Sequence, residues 1–261
     1  MRELFSMWGN TRMVVLTAIC ASLYAAILIP FKVIPLIPGV TEFRPANAVP
    51  IVCSLLFGPA GAWGSGFGNL IGDFFGSMGP GTLFGFIGNF LYGLIPYKIW
   101  QALSSQDPVP RSPSSWILFV YATFLASAAC GVTIGWGLNF MGFLPFSVIS
   151  NIIVINNSVV ALVLSPLLLR ALFHRVKGCG LHYTELMEKE RSTRGLASVL
   201  GLLLLTLGTF GGLAWGNLLS LETVNLPFIE DWGLASPSNA FQVGLGMLPA
   251  IACILLGLAL L

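Results

Sequence analysis

Between residues 43 and 94 the chain is an apolar run in which Gly64, Gly68, Gly72 and Gly76 recur at every fourth position, with Asn69 and Asp73 one face over. That spacing stacks glycines along one side of a helix, so a neighbouring helix can approach almost to backbone contact. The feature predicts a packed helical bundle. Composition sets that bundle in a membrane: charged residues are 8% of the chain, against about 25% in an ordinary soluble domain, while hydrophobic residues reach 56% and the mean hydropathy is +0.88. In such a setting the Asp73 carboxylate is costly, which makes it a candidate for binding or ion pairing.

With about 20 residues per crossing as the yardstick, eight spans are expected, near 13–36, 45–58, 60–77, 82–102, 115–139, 145–172, 195–218 and 239–261. The second and third are short and meet at Gly58-Pro59-Ala60-Gly61, which makes them a helical hairpin. The polar stretch 173–194 is a connector, so the chain divides into a six-span bundle (1–172), a cytoplasmic connector (173–194) and a C-terminal transmembrane hairpin (195–261). An N-terminus in the cytoplasm puts ten of the twelve basic residues inside: Arg2, Arg12, Lys98, Arg111, Arg170, Arg175, Lys177, Lys189, Arg191 and Arg194. Lys32 and Arg44 fall outside, as does the loop 219–238 with Glu222, Glu230 and Asp231. Both termini are then cytoplasmic.

Several function classes drop out. None of the four lysines follows a glycine, so there is no phosphate-cradling Gly-x-x-x-x-Gly-Lys-Ser/Thr loop. The two histidines, His174 and His182, lie on the connector, where a solvated linker outweighs a metal pair, and no zinc-hydrolase or Ser-His constellation can form within the bilayer. Five cysteines are scattered singly, without disulfide or zinc spacing. A net charge of +2 without a basic patch gives no nucleic-acid footprint. An enzyme is not expected, and no cofactor or metal is called for.

What remains is a set of polar groups at one depth. Counted at about 1.5 Å per residue from the outer helix ends, Asp73, Asn89 and Asn151 lie roughly 6–11 Å into the membrane. Tyr92, Asn139 and Trp136 fall near the same level, and Glu42 and Arg44 open the second span. Together they outline an outward-facing pocket for a flat, amphipathic small molecule, with Arg44, Asp73, Asn89, Tyr92, Trp136 and Asn151 as substrate-binding candidates. Plainer readings stand beside this one. Asp73 and Arg44 neutralise each other, Asn69, Asn89, Asn156 and Asn157 act as interhelical hydrogen-bond glue, and the aromatic residues form an interfacial belt.

The run NAVPIVCSLLFGPAGAWGSGFGNLIGDFFG, followed by GPGTLFGFIGNFLYGLIPYKIW, resembles the substrate-binding S component of energy-coupling factor (ECF) transporters, in particular the folate-transporter-like branch. The shared elements are Pro50, the Gly58-Pro59 turn, Gly64 and Gly68, Asp73, and Gly85, Gly88 and Gly93. The resemblance covers the first six spans. It implies an all-α membrane protein, a six-helix S-component bundle extended here by two C-terminal helices, set in a prokaryotic plasma membrane. It also implies a vitamin or related micronutrient bound near the outer face, a T component and two ABC ATPases as partners, and no catalysis on the substrate. Docking on the T component would use small residues of the first helix, here Ala18, Ser22 and Ala26 on one face and Ala21 and Ala25 on the next; packing against the chain's own glycine stripe is the competing use. Ligand contacts would come from loops 36–44, 77–82 and 140–147, with Gly39, Gly79 and Gly81 permitting lid movement. A non-transporting assembly subunit and an ion-coupled carrier titrating Asp73 are the alternatives from other classes.

Overall fold

Each of the eight apolar segments holds helix. The computed structural model describes residues 1–32, 34–37, 41, 42, 44–76, 78–187, 195–224, 226 and 239–261. Helix α1 (Glu3–Ser6) precedes α2 (Thr11–Phe31), which starts where the Asn10 side chain accepts from the Arg12 amide at 3.0 Å. Helix α2 stops short of residue 36, the expected end of the first span, because the chain extends ahead of Pro35. A small antiparallel ribbon, β1 (Pro35–Ile37) and β2 (Thr41–Glu42), occupies the connection that follows α2. Then come α3 (Ala48–Phe57), α4 (Pro59–Asp73), α5 (Thr82–Leu103), α6 (Pro113–Phe140), α7 (Phe146–Gly178) and α8 (Tyr183–Leu186). The C-terminal part is α9 (Leu196–Thr206), a π turn (Leu207–Gly211), α10 (Gly212–Ser220), α11 (Asn239–Gly246) and α12 (Leu248–Leu260).

Five of these helical stretches are long and apolar enough to cross a membrane: Thr11–Phe31, Pro113–Phe140, Phe146–Leu186, Leu196–Ser220 and Asn239–Leu260. Helices α3 and α4, of 10 and 15 residues, reach only about 15 and 22 Å at 1.5 Å per residue. They are joined at Gly58, whose φ of +54° favours glycine and whose added Cβ would strike the Tyr183 ring; Pro59 then opens α4. Every residue of α3 is buried, because it sits among α2, α4, α5 and α7.

The glycine stripe is the contact between α2 and α4. A Cβ on Gly64 would strike Cys20, one on Gly68 would lie 2.8 Å from the Tyr24 Cβ, and one on Gly72 would strike Leu28. The stripe ends there: α4 stops at Asp73, and Gly76, expected inside the third span (60–77), sits three residues further on in the following turn with φ +142°. Helix α4 then packs on α5, α5 on α6 and α6 on α7. Several buried hydroxyls bond the carbonyl one turn back, as Thr17 does to Met13, Ser65 to Gly61 and Ser127 to Thr123, so these carry no unpaired donor into the apolar interior. Where Pro96 interrupts α5, the Tyr97 amide donates to Ser54 Oγ at 3.1 Å.

At the end of the bundle that holds the N-terminus, Lys98 is 3% exposed and pairs with Glu3. Burial alone would raise the Glu3 pKa, but the hydrogen bond and charge of Lys98 outweigh it and hold the carboxyl down at about 2. The C-terminal helices pack among themselves and against α6 and α7. Lys189, Arg191, Arg194, Glu230 and Asp231 lie outside the described residues.

Candidate functional site

Near the end of α4, Asn69 and Asp73 fall one turn apart on the face turned toward α5. Asn69 Nδ2 donates to Asp73 Oδ2 at 3.2 Å, and its Oδ1 lies 3.5 Å from Arg44 Nη1. This places a guanidinium, an amide and a carboxylate in sequence along one wall. The wall is open because α5 presents Gly85 there: a Cβ on Gly85 would come within 2.9 Å of Asn69 Nδ2 and 3.5 Å of Asp73 Oδ2. One turn on, Asn89 Nδ2 donates to the Gly85 carbonyl at 2.9 Å, while its Oδ1 accepts from the Tyr24 hydroxyl at 2.9 Å.

These groups line a cavity of about 560 Å³, bounded also by Met78–Thr82, by Cys130, Ile134 and Leu138 of α6, by Phe143 and Leu144 of the α6–α7 loop, and by Ile149, Ile153, Asn156 and Asn157 of α7. One side therefore carries a cation, an anion and amides, and the other is mostly aliphatic. Below the cavity a hydrogen-bonded floor joins four helices. Asn47 Nδ2 donates to Asn157 Oδ1 at 2.6 Å, the Tyr92 hydroxyl donates to the Asn47 carbonyl at 3.0 Å, and the Tyr24 hydroxyl lies 3.3 Å from Asn47 Oδ1. A satisfied polar floor fixes its amides in place.

A family model described as QueT transporter matches residues 14–174 of the 261. The chain belongs to the QueT transporter family. This is a family of ECF S components, membrane transport subunits and not enzymes; the match names QueT where the sequence resemblance pointed to the folate-transporter-like branch. Neither a curated protein nor a solved structure matches the chain. The family match stops at the end of α7, so the C-terminal helices lie beyond it.

In this QueT-family chain the six expected substrate residues separate into two groups. Arg44, Asp73 and Asn89 come together on the cavity wall. Tyr92 lies one turn below Asn89, fully buried in the floor, where it also approaches the Asn157 carbonyl at 3.3 Å. Trp136 points away from the cavity, with Nε1 donating to the Gly244 carbonyl at 2.9 Å and its ring stacked on Phe140. Asn151 likewise turns outward and donates to Asn217 Oδ1 at 2.7 Å. These three make contacts within the fold and do not line the cavity.

Asn69, Asn156 and Asn157, read as glue, also face the cavity; Tyr24, Asn47, Thr82 and Cys130 were missed. A polar residue in an apolar span was the available signal for Asn47. Gly79 and Gly81 border the cavity, while Gly39 lies outside the described residues.

The small residues of α2 also divide. Ala21 and Ala25 are buried, Ala21 against the α4 glycines, and so pack within the bundle, whereas Ala18, Ser22 and Ala26 are exposed. The two histidines do not face a common ion. His174 Nε2 lies 2.6 Å from Arg111 Nη2, and His182 Nδ1 lies 2.8 Å from Thr184 Oγ1. Among the described residues no three His, Cys, Asp or Glu side chains gather as a metal site.

Proposed function

We propose that this protein is the substrate-capturing S component of an ATP-driven ECF importer for a queuosine precursor, a micronutrient-like base, with a T component and ATPases on separate chains. The observation that carries the reading is the cavity wall of Arg44, Asn69, Asp73 and Asn89 in a chain of the QueT family. Queuosine is built on 7-deazaguanine, a flat ring whose 2-amino-pyrimidinone edge presents two adjacent N–H donors and a carbonyl acceptor. A carboxylate suits the donors and amide or guanidinium N–H groups suit the acceptor, while an aliphatic wall suits the ring face. We assign Asp73 to the donor pair, Arg44 and the asparagine amides to the acceptors, and Ile134, Leu138, Ile149 and Ile153 to the ring faces. Helices α2–α7 form the six-span capturing unit and α9–α12 an appended two-span hairpin, eight spans in all, with both termini in the cytoplasm.

The mouth between Arg44 and residues 78–82 admits substrate from outside. Reorientation by the partner subunits then releases it, with no bond to the substrate made or broken. The exposed Ala18, Ser22 and Ala26 form the face on which a partner helix packs. Mass spectrometry of small molecules retained by detergent-purified protein tests the reading. A 7-deazaguanine in the wild type and none in Asp73→Leu supports it. An unrelated ligand, or equal retention by both, overturns it. Uptake that persists when ATP is exhausted and collapses with the ion gradient favours an ion-coupled carrier instead.

A further inference from the structure

The described residues of 195–261 have no part in forming the cavity, yet several of their polar side chains meet the start of α7, apart from the Thr206 hydroxyl that meets Tyr121. Asn217 of α10 accepts from Asn151 Nδ2 at 2.7 Å, and its own Nδ2 lies 3.5 Å from Asn151 Oδ1. Ser220 Oγ accepts from the Ser147 backbone amide and donates to Ser147 Oγ, both at 3.1 Å. Asn239 then donates to the Ser220 carbonyl at 3.1 Å, tying the second helix of the hairpin to the same corner. The backbones close without room to spare: a Cβ on Gly216 would meet the Phe146 ring at 2.5 Å, and one on Gly244 would strike Phe140.

That corner is the start of α7 and the end of α6, the two helix ends that hold loop 141–145. The loop sends Phe143 and Leu144 to the cavity, and the first turns of α7 send Ile149 and Ile153. The loop's own backbone bonds are local, with Gly142 (φ +73°) donating to Asn139 and Phe143 donating to Leu138 at 2.9 Å each. On the opposite rim Met78 is exposed and a Cβ on Gly76 or Gly79 would meet nothing within 4 Å, whereas one on Gly81 would strike Leu138.

We propose that Asn217 and Ser220 are positioning residues for the substrate cavity. By clamping Ser147 and Asn151 they hold the α6–α7 wall of the cavity in place. The role rests on the substrate reading above, but its test does not. Amide hydrogen exchange on the full-length protein in detergent compares wild type with Asn217→Leu/Ser220→Ala. Exchange over residues 141–151 is expected to rise about tenfold, equivalent to about 1.4 kcal/mol, as the Asn217 and Ser220 contacts to α7 are lost, with residues 83–103 unchanged and Ser220→Thr retaining the wild-type rate. Unchanged exchange over 141–151 overturns the proposal.

Should the double variant fail to fold, Ser147→Cys/Ser220→Cys provides the second arm. Oxidation of this pair is expected to leave the dissociation rate of 7-deazaguanine within about twofold of the reduced protein; a block on binding or release shows that the hairpin must part from the corner, and sinks the idea. A wild type that never binds 7-deazaguanine rejects the substrate reading while leaving the exchange result to decide this one.

Discussion

Helices α2–α5 and the C-terminal helices α9–α12 both pack through glycine, but they use the closeness differently. In the first region Gly64, Gly68 and Gly72 bring α4 onto α2, and Gly85 leaves a space that Asn69, Asp73 and Asn89 face. In the second, Gly201, Gly208 and Gly257 bring α9 and the π turn onto α12, with no charged group between them. Only 28% and 33% of the apolar windows in the C-terminal spans are buried, against 72% in α6, so Leu196, Leu203, Leu207 and Leu256 are left facing outward. Close packing by itself makes a contact. It makes a site where polar groups are turned into a gap and held there by a second layer of hydrogen bonds.

The contrast can be broken most strongly at its charged groups. Glu3→Gln strands the buried Lys98 and is expected to cost about 3 kcal/mol in a denaturation assay. Because the folded carboxyl has its pKa lowered from 4.5 to about 2, the stability that this pair contributes is present above about pH 4.5 and lost as pH falls toward 2. A wild-type stability flat across that window contradicts the assignment.

Gly68→Leu pushes a side chain into Tyr24 and the Ala21 carbonyl. A loss of about 3 kcal/mol is expected, read as a lower melting temperature; Gly142→Leu, by contrast, meets no neighbour but sits at φ +73°, and is expected to cost about 1–2 kcal/mol. Asp73→Leu removes the acceptor of the Asn69 amide and is expected to weaken 7-deazaguanine binding by about 1.5–3 kcal/mol, some 10- to 100-fold. The smallest effect sharpens the comparison of two faces on one helix. Ala21→Leu overpacks the α4 contact and lowers stability by about 1–3 kcal/mol, while Ala18→Leu on the exposed face stays within about 0.5 kcal/mol yet abolishes uptake in cells. Uptake undiminished in Ala18→Leu removes that face as the docking surface.

How much of this was legible in the sequence follows from what sequence periodicity measures. The glycine stripe, the short α3–α4 pair and the rare polar residues Arg44, Asp73 and Asn89 were readable because each is an exception in an apolar run. Counting residues from a helix end gives depth, however, and not the direction a side chain takes around the axis.

On α6 the cavity takes Cys130, Ile134 and Leu138, one turn apart, and Trp136 sits about 200° around from Ile134. On α7 it takes Asn156 and Asn157, so Asn151, five residues earlier, points to α10. The same rotation hides Ala21 and Ala25 and exposes Ala18, Ser22 and Ala26. Asn47 escaped notice because its partners, Tyr24, Tyr92 and Asn157, come from three separate helices. Helix ends depended on local chemistry: Pro35 shortened the first span, and Gly76 lay beyond the end of α4.

Equilibrium titration of the detergent-purified full-length protein with 7-deazaguanine, alongside Asp73→Asn and Gly85→Val, tests the cavity most directly. Saturable one-to-one binding by wild type is predicted, weakened in Asp73→Asn because an amide replaces half of the acceptor pair, and absent in Gly85→Val because the new side chain fills the space before Asn69 and Asp73. Undiminished affinity in both variants would place the substrate elsewhere and contradict the account.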